Sequence, residues 1–194
     1  MTDAGASGQR RRAFGLACAF ALAGLPSRAA GGDGERESLE YEVKGAFLLK
    51  FGEYVDWPAR AFAGPNAPFI IAVMGSDAMG DVLELLGNRL LINGRAVQVR
   101  RVARSEPVIP AQILFVGAAE GERLRTLAEG LKAASVLIVT ESSKPAMPAG
   151  MINFVIRDNR VRFEIDADAA DQAGLKISSK LLSLAVAVKP LRQR

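Results

Sequence analysis

Residues 113–139 read ILFVGAAEGERLRTLAEGLKAASVLIV. Ile113–Val116 is apolar throughout, a charged stretch from about Glu120 to Ala133 follows, and Val136–Val139 is apolar again. Strands that are apolar at every position are those buried on both faces, and a helix between two of them makes a βαβ unit. The chain therefore reads as an α/β protein with helices on its sheet.

Working outward, the pattern holds on both sides. Phe69–Val73 is a short β-rich run, and Gly75-Ser76-Asp77 is a turn carrying a helix N-cap. In the helix that follows, Val82, Leu83, Leu85 and Leu86 are expected to face the core. Asn93-Gly94 marks a turn, after which Ala96–Val102 alternates apolar with polar and charged residues as a half-buried strand. Pro107 and Pro110 bracket a loop. Upstream, Leu39, Val43, Ala46-Phe47, Phe51 and Tyr54-Val55 recur at helical spacing from Ser38, and Pro58 should end that helix after Trp57. Downstream of a Pro-rich loop at 141–150, Met151–Ile156 and Arg160–Ile165 flank Asp158-Asn159 as a hairpin. Helices at about Asp166–Ala173 and Ser178–Val186 close the chain. The expectation is one compact α/β domain over residues 38–190, with a mixed sheet of about six strands flanked by helices.

The chain has 194 residues, 49% hydrophobic and 24% charged, which suits one domain able to bury its own core. Its formal charge of +4 is concentrated at the start: Arg10, Arg11, Arg12 and Arg28 precede residue 30 against one carboxylate, Asp3, so the rest carries +1. That balance does not suit nucleic acid, whose partners need a clustered excess of cations. Histidine is absent, so His-based triads, HExxH zinc sites and imidazole acid–base chemistry are excluded.

Three arginines, the 13-residue apolar run Ala13–Leu25 and the small residues Ser27 and Ala29 have the layout of a secretory signal peptide. Residues 1–29 are read as that signal, with cleavage after Ala29 or Ala30. The run is short for the roughly 30 Å of a bilayer's hydrocarbon. Arg11-Arg12-Ala13-Phe14 also matches the core of a twin-arginine signal, so the export route stays open. The sole cysteine, Cys18, lies in this segment; the exported chain then has no thiol, disulfide or thiolate metal site. Residues 30–37 read as a polar, Gly-rich lead-in.

Few motifs hint at chemistry. Gly75–Gly80 sits where phosphate loops occur, but Asp81 and Val82 stand where a Walker loop needs Lys and Ser/Thr, so an N-capped turn is preferred. Asp166, Asp168 and Asp171 lack the Gly and Glu spacing of a calcium loop and suit the start of a helix instead. Ser178-Ser179-Lys180 reads as a helix cap, not as a Ser–Lys nucleophile pair. Glu53 and Asp56 share a helix face without the surroundings of a glycosidase. Tyr54 and Trp57 read either as a core plug or as an interface anchor. No catalytic residue, cofactor or metal is expected.

Ala46-Phe47-Leu48-Leu49-Lys50-Phe51 and Tyr54-Val55-x-Trp57-Pro58 resemble the opening of the YfiR family, the domain of unknown function DUF4154. Val73-Met74-Gly75-Ser76-Asp77 and Ile113–Val116 are similar to its middle. Gly150–Phe154, Val161–Ile165 and Ala173–Leu182 are similar to its C-terminal part, so the resemblance spans about residues 40–188. It implies an exported regulator without catalysis. Such a protein binds the periplasmic sensor domain of an inner-membrane diguanylate cyclase, holding cyclic di-GMP and biofilm formation down, and can homodimerise. Family members commonly carry cysteine pairs; the resemblance would place one pair at Ala72 and Ala111, both alanine here.

For the partner surface the resemblance points to Phe154, Phe163, Glu164, Ile165, Ile177 and Lys180, with Trp57 beside them. Alternation along the strand gives a competing reading, in which Phe163 and Ile165 point inward and leave Arg162 and Glu164 outward. A periplasmic small-ligand-binding module, using an α/β crevice, is the alternative function.

Overall fold

The computed structural model describes residues 32–103, 110–141 and 150–190. The signal expected at 1–29, the Pro107 side of its loop and most of loop 141–150 lie outside the described residues.

The elements run α1 (Gly32–Tyr54), β1 (Val55–Asp56), β2 (Phe69–Met74), α2 (Asp77–Gly87), β3 (Leu91–Ile92), β4 (Arg95–Val102), β5 (Ile113–Val116), α3 (Gly121–Ala133), β6 (Leu137–Glu141), β7 (Ile152–Arg157), β8 (Arg160–Asp166), α4 (Ala167–Gln172), β9 (Lys176–Ile177), α5 (Ser179–Leu184) and β10 (Ala187–Lys189). Eight strands form one mixed sheet in the order β10-β8-β7-β6-β5-β2-β4-β3. The strands from β4 across to β7 are parallel, β8 returns antiparallel to β7 through the expected hairpin, and β10 runs parallel to β8. β1 and β9 form a separate antiparallel ribbon.

From β2 the chain crosses one way to β4 and then returns past β2 to β5, continuing the other way to β6. Right-handed crossovers in opposite directions put α2 and α3 on opposite faces, so β2, β5 and β6 are covered twice. That is why β5 is buried at every residue. Ser76 accepts a hydrogen bond from the Met79 amide at 3.3 Å and Ser178 one from Leu181 at 3.3 Å, so both serines act as helix N-caps. Asp166 does the same for α4, accepting from Ala169 at 2.9 Å.

Several expectations need correction. Helix α1 begins at Gly32, inside the supposed lead-in, because Glu35, Arg36 and Glu37 are good helix formers that extend it. It ends at Tyr54, before Trp57, because Val55 and Asp56 pair with Ile177 and Lys176. In α2 the buried face is Met79, Gly80, Leu83 and Gly87, while Leu85 and Leu86 are exposed. Glycine faces that helix inward because its neighbours lie close: a Cβ on Gly80 would meet the Arg101 guanidinium, and one on Gly87 would meet Val97. The sheet has two strands more than expected, β3 and β10. Ala72 lies opposite Leu114 of β5, and Ala111 precedes that strand.

Candidate functional site

The partner-surface residues separate into two groups. Phe154, Phe163 and Ile165 are core residues, at most 2% exposed. β8 alternates, sending Phe163 and Ile165 inward while Arg162 is exposed and Glu164 half-buried, so the reading of these three as contact residues gives way to the inward one. The two rings pack with Phe47 and Phe51 of α1: Phe163 stands edge-on to Phe47 at 5.3 Å and to Phe51 at 5.1 Å, and Phe154 stacks on Phe51 at 5.8 Å. They seat α1 on the hairpin. Residues left at the surface are Glu164, paired with Arg157 at 3.5 Å, Lys180, exposed in the first turn of α5, and the half-buried Ile177. Trp57 is half-buried too. Its indole donates to the Gln112 carbonyl at 3.2 Å and meets Phe69 edge-on at 5.1 Å, which makes it mainly a plug between the ribbon and the sheet.

A groove opens where α1 passes the tip of the hairpin. It encloses about 470 Å³ and is floored by Leu39, Val43, Phe47, Ile156 and Val161. Leu39 is 60% exposed, Ile156 49% and Val43 44%, so the floor is apolar surface held open to solvent. The tip turns at Asp158 and Asn159, both with positive φ, as a tight hairpin requires. Arg160 and Arg162, just past the tip, line the groove together with Arg36 of α1.

Sequence reasoning missed the anchor of that wall. Lys44 is 5% exposed and donates to Glu141 at 2.7 Å, while Glu40, one turn earlier, completes the pairing. Tyr41 donates to the other Glu141 oxygen at 3.1 Å, and its ring lies 4.9 Å from the Lys44 ammonium. Burial alone would lower the lysine's pKa, but its hydrogen bonds to Glu141 and Glu40 outweigh that and hold it above the ordinary value. Burial, reinforced by Glu141, pushes the Tyr41 phenol up. The pair ties α1 to the C-terminal end of β6, across 97 residues of sequence.

A second cleft, of about 370 Å³, lies at the carboxyl ends of β2, β4 and β5, beside the β2–β5 step where the strand order reverses and α/β proteins commonly hold ligands. Arg101 reaches into it, but the protein's own Asp81 at 2.6 Å, Glu84 at 3.0 Å and Asp77 at 3.7 Å already surround that guanidinium. The glycine loop thus serves as a bed for an arginine, in keeping with the capped turn expected of it. Among the described residues, no helix is long and apolar enough to cross a membrane.

A search of curated proteins finds no match. A family model described as YfiR/HmsC-like matches residues 41–186, from the middle of α1 to the end of α5 and just beyond.

Proposed function

The chain belongs to the YfiR/HmsC-like family, and on that premise we propose that it is a periplasmic regulatory binding protein. It holds a membrane-bound diguanylate cyclase inactive by binding that enzyme's periplasmic sensor domain, and so lowers cyclic di-GMP. The family match over residues 41–186 carries this reading, since the family is regulatory rather than catalytic and fits a role in cyclic di-GMP signalling. The surface is compatible with it: an apolar groove bordered by charge is what a protein partner recognises. Residues 1–29 would direct export.

The test is a cross-linked pull-down from bacterial membranes with tagged protein exported to the periplasm. Recovery of a cyclase with a periplasmic sensor domain is the expected result; recovery of none, in a host that encodes such enzymes, would sink the reading. Glu164→Lys should then weaken capture while leaving the fold intact, because its exposed pairing with Arg157 is worth only about 0–1 kcal/mol. Unchanged capture would remove Glu164 from the interface. Homodimerisation, implied with the same role, is read from sedimentation of the same preparation at rising concentration.

The cleft at the switch point gives the small-ligand reading a location. A ligand there would raise the melting temperature in proportion to the logarithm of its concentration. Because the carboxylates around Arg101 already neutralise it, that cleft is a poor anion site.

A further inference from the structure

We propose that the groove between α1 and the β7–β8 tip is the docking site for an amphipathic, acidic segment of the partner protein. This rests on the binding function above and adds the chemistry of the segment bound. The floor exposes Leu39, Val43 and Ile156 side by side, which a folded chain normally avoids unless something covers them. Its rim is net positive. Arg36, Arg160 and Arg162 line it and make no ion pair among the described residues, whereas its one carboxylate, Glu40, is already held by Lys44. Other exposed arginines, Arg60, Arg89 and Arg100, also make no ion pair among the described residues, but here three of them line one apolar groove. Three unmatched guanidinium groups around an apolar floor fit a segment with an apolar face flanked by Asp or Glu.

Two other occupants fit less well. A second copy seated through the groove by two-fold symmetry would bring arginine rim against arginine rim. A bilayer needs apolar side chains that protrude, and these line a recess.

The experiment titrates the exported, purified chain with two fluorescein-labelled peptides of about 18 residues, five helical turns. Both carry leucines along one face; one carries glutamates elsewhere and the other lysines. By fluorescence anisotropy at low salt the glutamate peptide should bind about tenfold more tightly than the lysine peptide. Arg160→Glu with Arg162→Glu should reverse that preference, and Val43→Asp should abolish both. These positions are exposed, so the variants should keep their melting temperatures, which are measured alongside. Equal binding, no binding, or a preference indifferent to the double substitution overturns the proposal.

With the captured cyclase sensor domain, the double substitution should cost about tenfold in affinity as well. If capture survives it but fails with Glu164→Lys, the groove proposal falls and the regulatory reading stands. If the unaltered chain captures no sensor domain, the regulatory reading falls and the peptides alone decide the groove. Flotation with phosphatidylglycerol vesicles that is lost in the double variant would assign the groove to lipid and overturn the proposal. A dimer dissolved by the same substitutions would assign it to a second copy, with the same consequence.

Discussion

Lys44 shows how one side chain can be held charged inside a protein. Its ammonium is stable at 5% exposure only because the carboxylates of Glu141 and Glu40 accept hydrogen bonds from it. Replacing it by methionine leaves Glu141 facing a pocket without its cation, which should cost about 3–5 kcal/mol in urea unfolding. Adding Glu141→Gln should recover part of that loss, and a double variant no better than the single one would mean the ion pair is not what fails. The pH dependence has a definite sign. A lysine whose pKa is raised by folding contributes stability that is complete below its ordinary 10.5 and is lost as pH climbs through the folded value. The phenol of Tyr41, also raised from its ordinary 10.0, acts in the same direction. Stability should therefore decline above about pH 10, and Lys44→Met should show a shallower decline in the same titration.

At the scale of elements, the tight places are the turns at the carboxyl ends of the central strands. Gly117 follows β5 and donates to the Met74 carbonyl at 2.8 Å, and a Cβ there would run into the Gly75 carbonyl. Backbone cannot move aside as a side chain can, so Gly117→Ala should destabilise by about 2–4 kcal/mol and lower the melting temperature by roughly 4–16 °C. A melting point within a degree of the parent's would show that this crossing can relax. Which elements the sequence disclosed follows from the same physics. β2, β5, β6 and the hairpin are runs long enough to carry a pattern, and apart from Ile156, exposed near the tip, their apolar residues are buried or half-buried. β1, β3, β9 and β10 hold two or three residues each, too few for any periodicity, and they exist because something nearby offers an unpaired backbone edge. In α2, Leu83 faces the core as its spacing predicts, whereas Leu85 and Leu86 are exposed, and Gly80 and Gly87 share the inner face because Arg101 and Val97 pack close.

Over the whole molecule, the candidate site is assembled from parts far apart in the chain, which limited how much of it could be read in advance. Phe154 and Phe163 stand out in the sequence, but their burial under α1 depends on Phe47 and Phe51, about a hundred residues earlier. The Lys44–Glu141 pair and the arginine rim follow from tertiary packing, to which local spacing is blind. That same packing argues that the chain unfolds as one unit. A continuous core cluster runs from Leu48 in α1 through β2, β5 and β6 to Leu181 in α5. The ribbon ties the end of α1 to the segment before α5, where the Ser178 amide donates to the Tyr54 carbonyl at 2.9 Å. Trp57, the sole tryptophan, sits at that junction against Phe69 and reports on tertiary structure there, while far-ultraviolet circular dichroism follows the helices and sheet as a whole. In a urea titration the two signals should share one midpoint, as two-state unfolding requires. If Trp57 fluorescence changed at lower urea than the dichroism, the ribbon would be opening before the sheet. The core would then be divided, and α1 would be held to the hairpin less firmly than the groove's geometry demands.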